Sequence, residues 1–169
     1  MQEMLIYGVS FDLVGKQPIV LLKTADGNKF LPIWIGHPEA AAILVKLQSQ
    51  ESPRPMTHDL LSDMLEQLGA QVLRITVTEM RENTYYAQIT VQQDGTELEI
   101  DSRPSDAIAL AIRAEAPIFA ADRVIEESAI EFEGEEVDEE RLEAEVAKFK
   151  HFLDEVTPED FAIESEDDD

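Results

Sequence analysis

A chain of 169 residues with 44% apolar and 7% aromatic content has ordinary globular usage, and two full domains would be cramped in it. The absence of cysteine excludes a disulfide framework and any thiolate metal site, so a metal must be held by oxygen or imidazole ligands. The formal charge of −24 is concentrated at one end: residues 121–169 carry 4 Lys/Arg against 21 Asp/Glu, whereas residues 1–120 carry 9 against 16.

The start, Met1-Gln2-Glu3, lacks the basic residue and apolar run of a secretion signal. No later stretch reaches the roughly 18 apolar residues of a membrane span, so a cytoplasmic chain with no membrane partner is expected. From Met4 the pattern predicts three strands, Leu5 to Val14, Ile19 to Thr24 and Lys29 to Ile35. They are separated by Gly15-Lys16-Gln17-Pro18 and by the hairpin signal Asp26-Gly27-Asn28. An Ala-rich helix follows from Pro38 to about Gln48, opened by a proline whose missing N–H costs nothing in the first turn. After the polar linker Ser49 to Pro55, an amphipathic helix runs from Thr57 to Leu68 and ends at Gly69. Its expected core face is Leu60, Leu61, Met64, Leu65 and Leu68.

The first rhythm then returns. Strands are predicted at Gln71 to Met80, Tyr85 to Gln93 and Glu97 to Asp101, the last two joined by Asp94-Gly95, and a helix at Pro104 to Glu115. A shift of 66 residues lays Pro38 on Pro104, Ala41 on Ala107 and Leu44 on Leu110. The expected fold class is therefore α+β, a duplicated β-β-β-α unit with an extra amphipathic helix between the repeats. It would occupy residues 1–120 and pack as two sheets or sheet halves with helices between or beside them. Residues 121–163 read as an acidic helical extension, in which Leu142, Val146, Phe149 and Leu153 recur at helical spacing. Phe161 and Ile163 would anchor its end, and residues 164–169 read as a disordered acidic tail.

Three polar clusters stand where apolar periodicity begins: Gly36-His37-Pro38-Glu39, Arg54-Pro55-Met56-Thr57-His58-Asp59 and Asp101-Ser102-Arg103-Pro104-Ser105-Asp106. One reading is capping, with Thr57, Ser102 or Ser105 accepting from free N–H groups and Glu39, Asp59 and Asp106 facing the positive end of the helix dipole. The other is chemistry. Helix N-termini attract phosphate, and Arg54 or Arg103 would restore the positive charge that an acidic first turn removes. Phosphodiester cleavage needs an activated water, neutralised phosphoryl oxygens and a proton for the leaving oxygen. Glu39, Asp59 and Asp106 suit a divalent cation, Mg²⁺ or Mn²⁺. Arg54, Arg103 and Ser105 suit the phosphate, and His58, with Asp59 beside it, suits proton transfer. His37 lies in a turn, and His151 reads as solvated surface.

The segments Ile33-Trp34-Ile35-Gly36-His37-Pro38-Glu39-Ala40, Arg54 to Leu61 and Ser102 to Ala107 together resemble the bifunctional nuclease domain family. The tail Phe149 to Asp154 with Pro158 to Phe161 is similar to that family's C-terminal extension. The resemblance implies an α+β fold with the duplicated unit, a tendency to form homodimers, and nuclease activity on DNA and RNA. Glu39, Arg54, His58, Asp59, Arg103, Ser105 and Asp106 fall on its polar motif positions. Against nucleic acid as partner stands the missing basic face, which usually supplies most non-specific affinity. The alternative is a non-enzymatic binding or regulatory module that recognises a small anionic ligand, or whose acidic end meets a basic protein partner. A third reading has the acid serve solubility alone.

Overall fold

A computed structural model describes residues 1–12 and 14–131. In the first meander, β1 (Gln2–Asp12), β2 (Gln17–Thr24) and β3 (Lys29–Trp34) pair antiparallel in sequence order. Every second residue of β2 is buried, from Pro18 through Val20 and Leu22 to Thr24, as period-two patterning on a half-buried sheet requires. Helices α1 (His37–Leu47) and α2 (Thr57–Gln67) follow. A second meander, β4 (Ala70–Arg81), β5 (Thr84–Gln93) and β6 (Thr96–Ser102), leads into α3 (Pro104–Ala114). The β5–β6 turn has Asp94 and Gly95 at φ of 50° and 78°, the pair of left-handed residues that a tight hairpin demands.

Three short elements were not legible in the pattern: β7 (Ile118–Ala120), α4 (Asp122–Ser128) and β8 (Ile130–Glu131). Strand β7 changes the architecture. It pairs antiparallel with β1 and parallel with β4, so the expected two sheets or sheet halves are one eight-stranded sheet, ordered β6-β5-β4-β7-β1-β2-β3-β8. Helix α4 buries Val124 and Ile125 and packs against both β3 and β4. Those strands stand four places apart in the sheet, which must therefore coil around its helices. Coiling brings the β4–β5 turn to the end of β3.

The core lies on the helical side. Nearly all of α3 is buried from Pro104 to Ala111, against Ala40, Ala42, Ile43 and Leu44 of α1 and the inward residues of the strands. Alanines on both helices permit close approach, which sets the first turns of α1 and α3 side by side.

The expected core face of α2 is a correction. Leu60, Leu61, Met64 and Leu68 are exposed, and only Leu65 packs against the core. Helix α2 packs on α3 and β4 and buries only His58, while Leu61 and Leu65 line a cleft shared with Ile100 of β6. The expected helix over residues 137–156, the anchors Phe161 and Ile163 and the acidic tail lie outside the described residues.

Candidate active site

Glu39, Asp59 and Asp106 each occupy the third position of their helices, after the N-cap residues Gly36, Met56 and Arg103. The expected hydroxyl caps do not form: no hydroxyl closes the first turn of these three helices, and Ser102 Oγ instead donates to the Arg103 carbonyl at 2.9 Å. Asp59 alone reaches back, accepting from the Met56 N–H at 2.9 Å. The other two acids turn toward a shared cation. Arg103 Nε donates to Asp106 Oδ2 at 2.7 Å, and its Nη2 donates to Glu39 Oε1 at 3.0 Å, across the α1–α3 junction. Gly36 makes room for this arrangement, since a Cβ there would collide with the Glu39 carboxylate.

His58 completes the chain. Its Nε2 lies 2.8 Å from Asp106 Oδ1, and the residue is 8% exposed. The four side chains thus form a continuous relay, His58–Asp106–Arg103–Glu39, drawn from all three helix N-termini. It borders a cavity of about 590 Å³ between α2, α3, β5 and β6, walled by Leu61, Leu65, Ile89, Val91 and Ile100. Arg103 also lines a second hollow of about 240 Å³, on whose wall Ser105 lies buried.

Asp59 goes elsewhere. Its Oδ1 takes a 2.6 Å contact from Arg113 Nε at the opposite end of α3, seven residues or about 10 Å along the axis from Asp106. The three carboxylates expected to share a metal therefore divide between two arginines. Among the described residues no three His, Asp or Glu side chains stand together as a metal cage. Arg54 is exposed in the linker between α1 and α2 and enters no ion pair among the described residues. His37 packs edge-on against the ring of Phe11. Arg113 was missed in the sequence; the available signal was a lone cation on an otherwise apolar helix, seven residues beyond Asp106 and so on the same face.

Burial opposes ionisation of Asp106, but hydrogen bonds from Arg103 and His58 and their charges outweigh it, holding the carboxyl below its ordinary value. For Asp59, burial is likewise overcome by the Met56 N–H and by Arg113. Arg103, bonded to Asp106 and Glu39, holds its proton more tightly than a free arginine. Because both acids bind protons less readily folded than unfolded, their stabilisation is complete above the unfolded carboxyl value of about 3.9 and is lost as pH falls from there through the folded values. Asp106→Asn should flatten the acid limb of stability against pH, measured by urea unfolding between roughly pH 5 and 2. An unchanged slope would separate Asp106 from acid unfolding.

The model of the bifunctional nuclease domain matches residues 20–133, which include every member of the relay. An uncharacterized protein of Mycobacterium tuberculosis (strain CDC 1551 / Oshkosh) is 38% identical over 165 residues, covering 95% of this chain and 98% of its own. Bifunctional nuclease 1 of Oryza sativa subsp. indica is 32% identical over 109 residues, 62% of this chain and 33% of its own. Bifunctional nuclease 1 of Arabidopsis thaliana is 30% identical over 105 residues, again with about a third, 32%, of that protein matched. No described helix is long and apolar enough to cross a membrane. With the domain model spanning most of the fold and the three helix starts inside it, this chain belongs to the bifunctional nuclease domain family.

Proposed function

We propose that the chain hydrolyses phosphodiester bonds in DNA, RNA or both, with the His58–Asp106–Arg103–Glu39 relay as its centre. The observation that carries this is the 2.8 Å contact from His58 Nε2 to a carboxylate that is itself locked by an arginine. With Nε2–H donated to Asp106, the ring's lone pair sits on Nδ1 and takes a proton from a water attacking phosphorus. Asp106 stabilises the imidazolium that results. Arg103, with its guanidinium largely exposed, neutralises charge on the phosphoryl oxygens as the new P–O bond forms, and the leaving oxygen takes its proton from solvent.

A divalent cation, Mg²⁺ or Mn²⁺, would have to lie between Glu39 and Asp106, where the Arg103 guanidinium now bridges them. The donor set does not fit a resident metal while that bridge holds. The reading includes the homodimer, supported by the exposed apolar stripe of α2, and a cytoplasmic setting, supported by a cysteine-free chain. It also includes the duplicated unit, supported by two meanders that each run outward from β7 and lead into a proline-opened helix.

Purified protein should release nucleotides or fragments from DNA or RNA in EDTA. Cleavage abolished by EDTA and restored by Mg²⁺ or Mn²⁺ would mean that a cation takes Arg103's place. No cleavage of any substrate would leave the non-enzymatic module, binding a small anionic ligand or, through its acidic end, a basic protein.

A further inference from the structure

We propose that the hollow on the far side of Arg103 from His58 is a stacking subsite for one unpaired nucleobase, with Trp34 as its platform. The inference rests on the phosphodiester reading above and gives it a substrate class, single-stranded nucleic acid.

Trp34 closes β3, and its indole is placed where a core residue would not be: the residue is 49% exposed. Strand β8 covers β3 only at Lys29 and Phe30, so nothing among the described strands pairs with β3 beside Trp34 on that edge. The coil of the sheet brings the β4–β5 turn to the end of β3, and Trp34 lines a hollow of about 240 Å³ there together with Gln17, Asn83, Tyr85 and Ser105. Glu82 and Asn83 hold φ of 50° and 60°, a two-residue hairpin turn that keeps this wall compact.

Size and chemistry both narrow the ligand. The hollow is smaller than the roughly 300–1,000 Å³ of sites that enclose a drug-sized ligand, and suits one planar ring system with its sugar and phosphate left outside. The amides of Gln17 and Asn83 and the Ser105 hydroxyl offer both donors and acceptors, as the edge of a base requires. Arg103 lines this hollow and the His58 cavity alike. A phosphate held by Arg103 therefore has the Trp34 hollow on one side and His58 on the other. Bases within a duplex have both faces covered by their neighbours, so an indole can stack only on a base that is unpaired.

Trp34 is the single tryptophan of the chain, which makes intrinsic fluorescence a direct reporter of this position. The full chain and its His58→Ala variant would be titrated with a short single-stranded oligonucleotide, the same length of abasic strand, and the matching duplex. Saturable quenching by the base-bearing strand alone is expected. By anisotropy of a dye-labelled strand, Trp34→Ala should bind about five- to a hundredfold more weakly and Trp34→Phe should retain most of the affinity. Equal responses to abasic and base-bearing strands, or unchanged binding by Trp34→Ala, would overturn the subsite. Cleavage without base-dependent quenching would reject the subsite and spare the nuclease reading; base-dependent quenching in a protein that cleaves nothing would do the reverse.

Discussion

His58→Ala is expected to lower the rate of phosphodiester cleavage by about 100- to 10,000-fold, the range for removal of a positioned general base. The fold should survive, because Asp106 keeps Arg103 and the α2–α3 junction keeps the Asp59–Arg113 pair. His58→Gln retains a polar side chain of similar reach but cannot accept and return a proton near neutral pH, so it should be nearly as slow. Asp106→Asn separates orientation from proton transfer. It preserves shape but removes the charge that orients His58 and stabilises its imidazolium, so the turnover rate should fall, while binding of the strand, relieved of a carboxylate beside Arg103, should hold or tighten. Activity within threefold of native in both His58 variants, with normal thermal unfolding, would show that the relay is architecture and that chemistry lies elsewhere.

Local signals made most of the fold readable. Proline at the first turn of α1 and α3, glycine after α2 and the Asp94-Gly95 hairpin each act within a few residues, and those elements stand where the pattern puts them. Strand β7 escaped because three residues cannot establish a period, and its pairing with both β1 and β4 is a contact across the whole chain. The α2 stripe misled for a different reason: apolar periodicity gives a face and not its cover, and the cover of Leu60, Met64 and Leu68 is not supplied by the described residues. At the site, the residue types and the helix starts were legible, yet pairing was not. Asp59 follows His58 in sequence and is its expected partner there. One helical step turns it about 100° away, so His58 meets Asp106 while Asp59 meets Arg113. Arg103 was legible as a phosphate contact, but its pairing with two carboxylates, 64 and 3 residues distant, was not.

Replacing Arg113 should be the most damaging single change to stability, at about 3–5 kcal/mol, because it takes a buried guanidinium away from three acceptors, the partly exposed Asp59 carboxylate and two backbone carbonyls. Its side chain is 4% exposed. Beyond Asp59, it donates from Nη1 to the Ala109 carbonyl at 2.8 Å and from Nη2 to the Ala42 carbonyl at 3.0 Å, so one guanidinium fastens α1 and α2 to α3. For a chain of this length the loss corresponds to roughly 6–20 °C in Tm. Arg113→Lys should recover little, since an ammonium cannot meet three acceptors in the plane of a guanidinium fork. The informative comparison is the double variant Arg113→Met with Asp59→Leu. Substituting both partners removes the uncompensated carboxylate, and stability should return to within about 1–2 kcal/mol of native if the pair itself is close to neutral. Calorimetry of the two single variants and the double variant measures the coupling directly. Activity of the double variant then tests the link to function: Asp59 and Arg113 serve to fix α2 on α3, so a refastened α2 still presents His58 to Asp106 and cleavage persists. A stable double variant with no activity would move Asp59 from the scaffold into the chemistry.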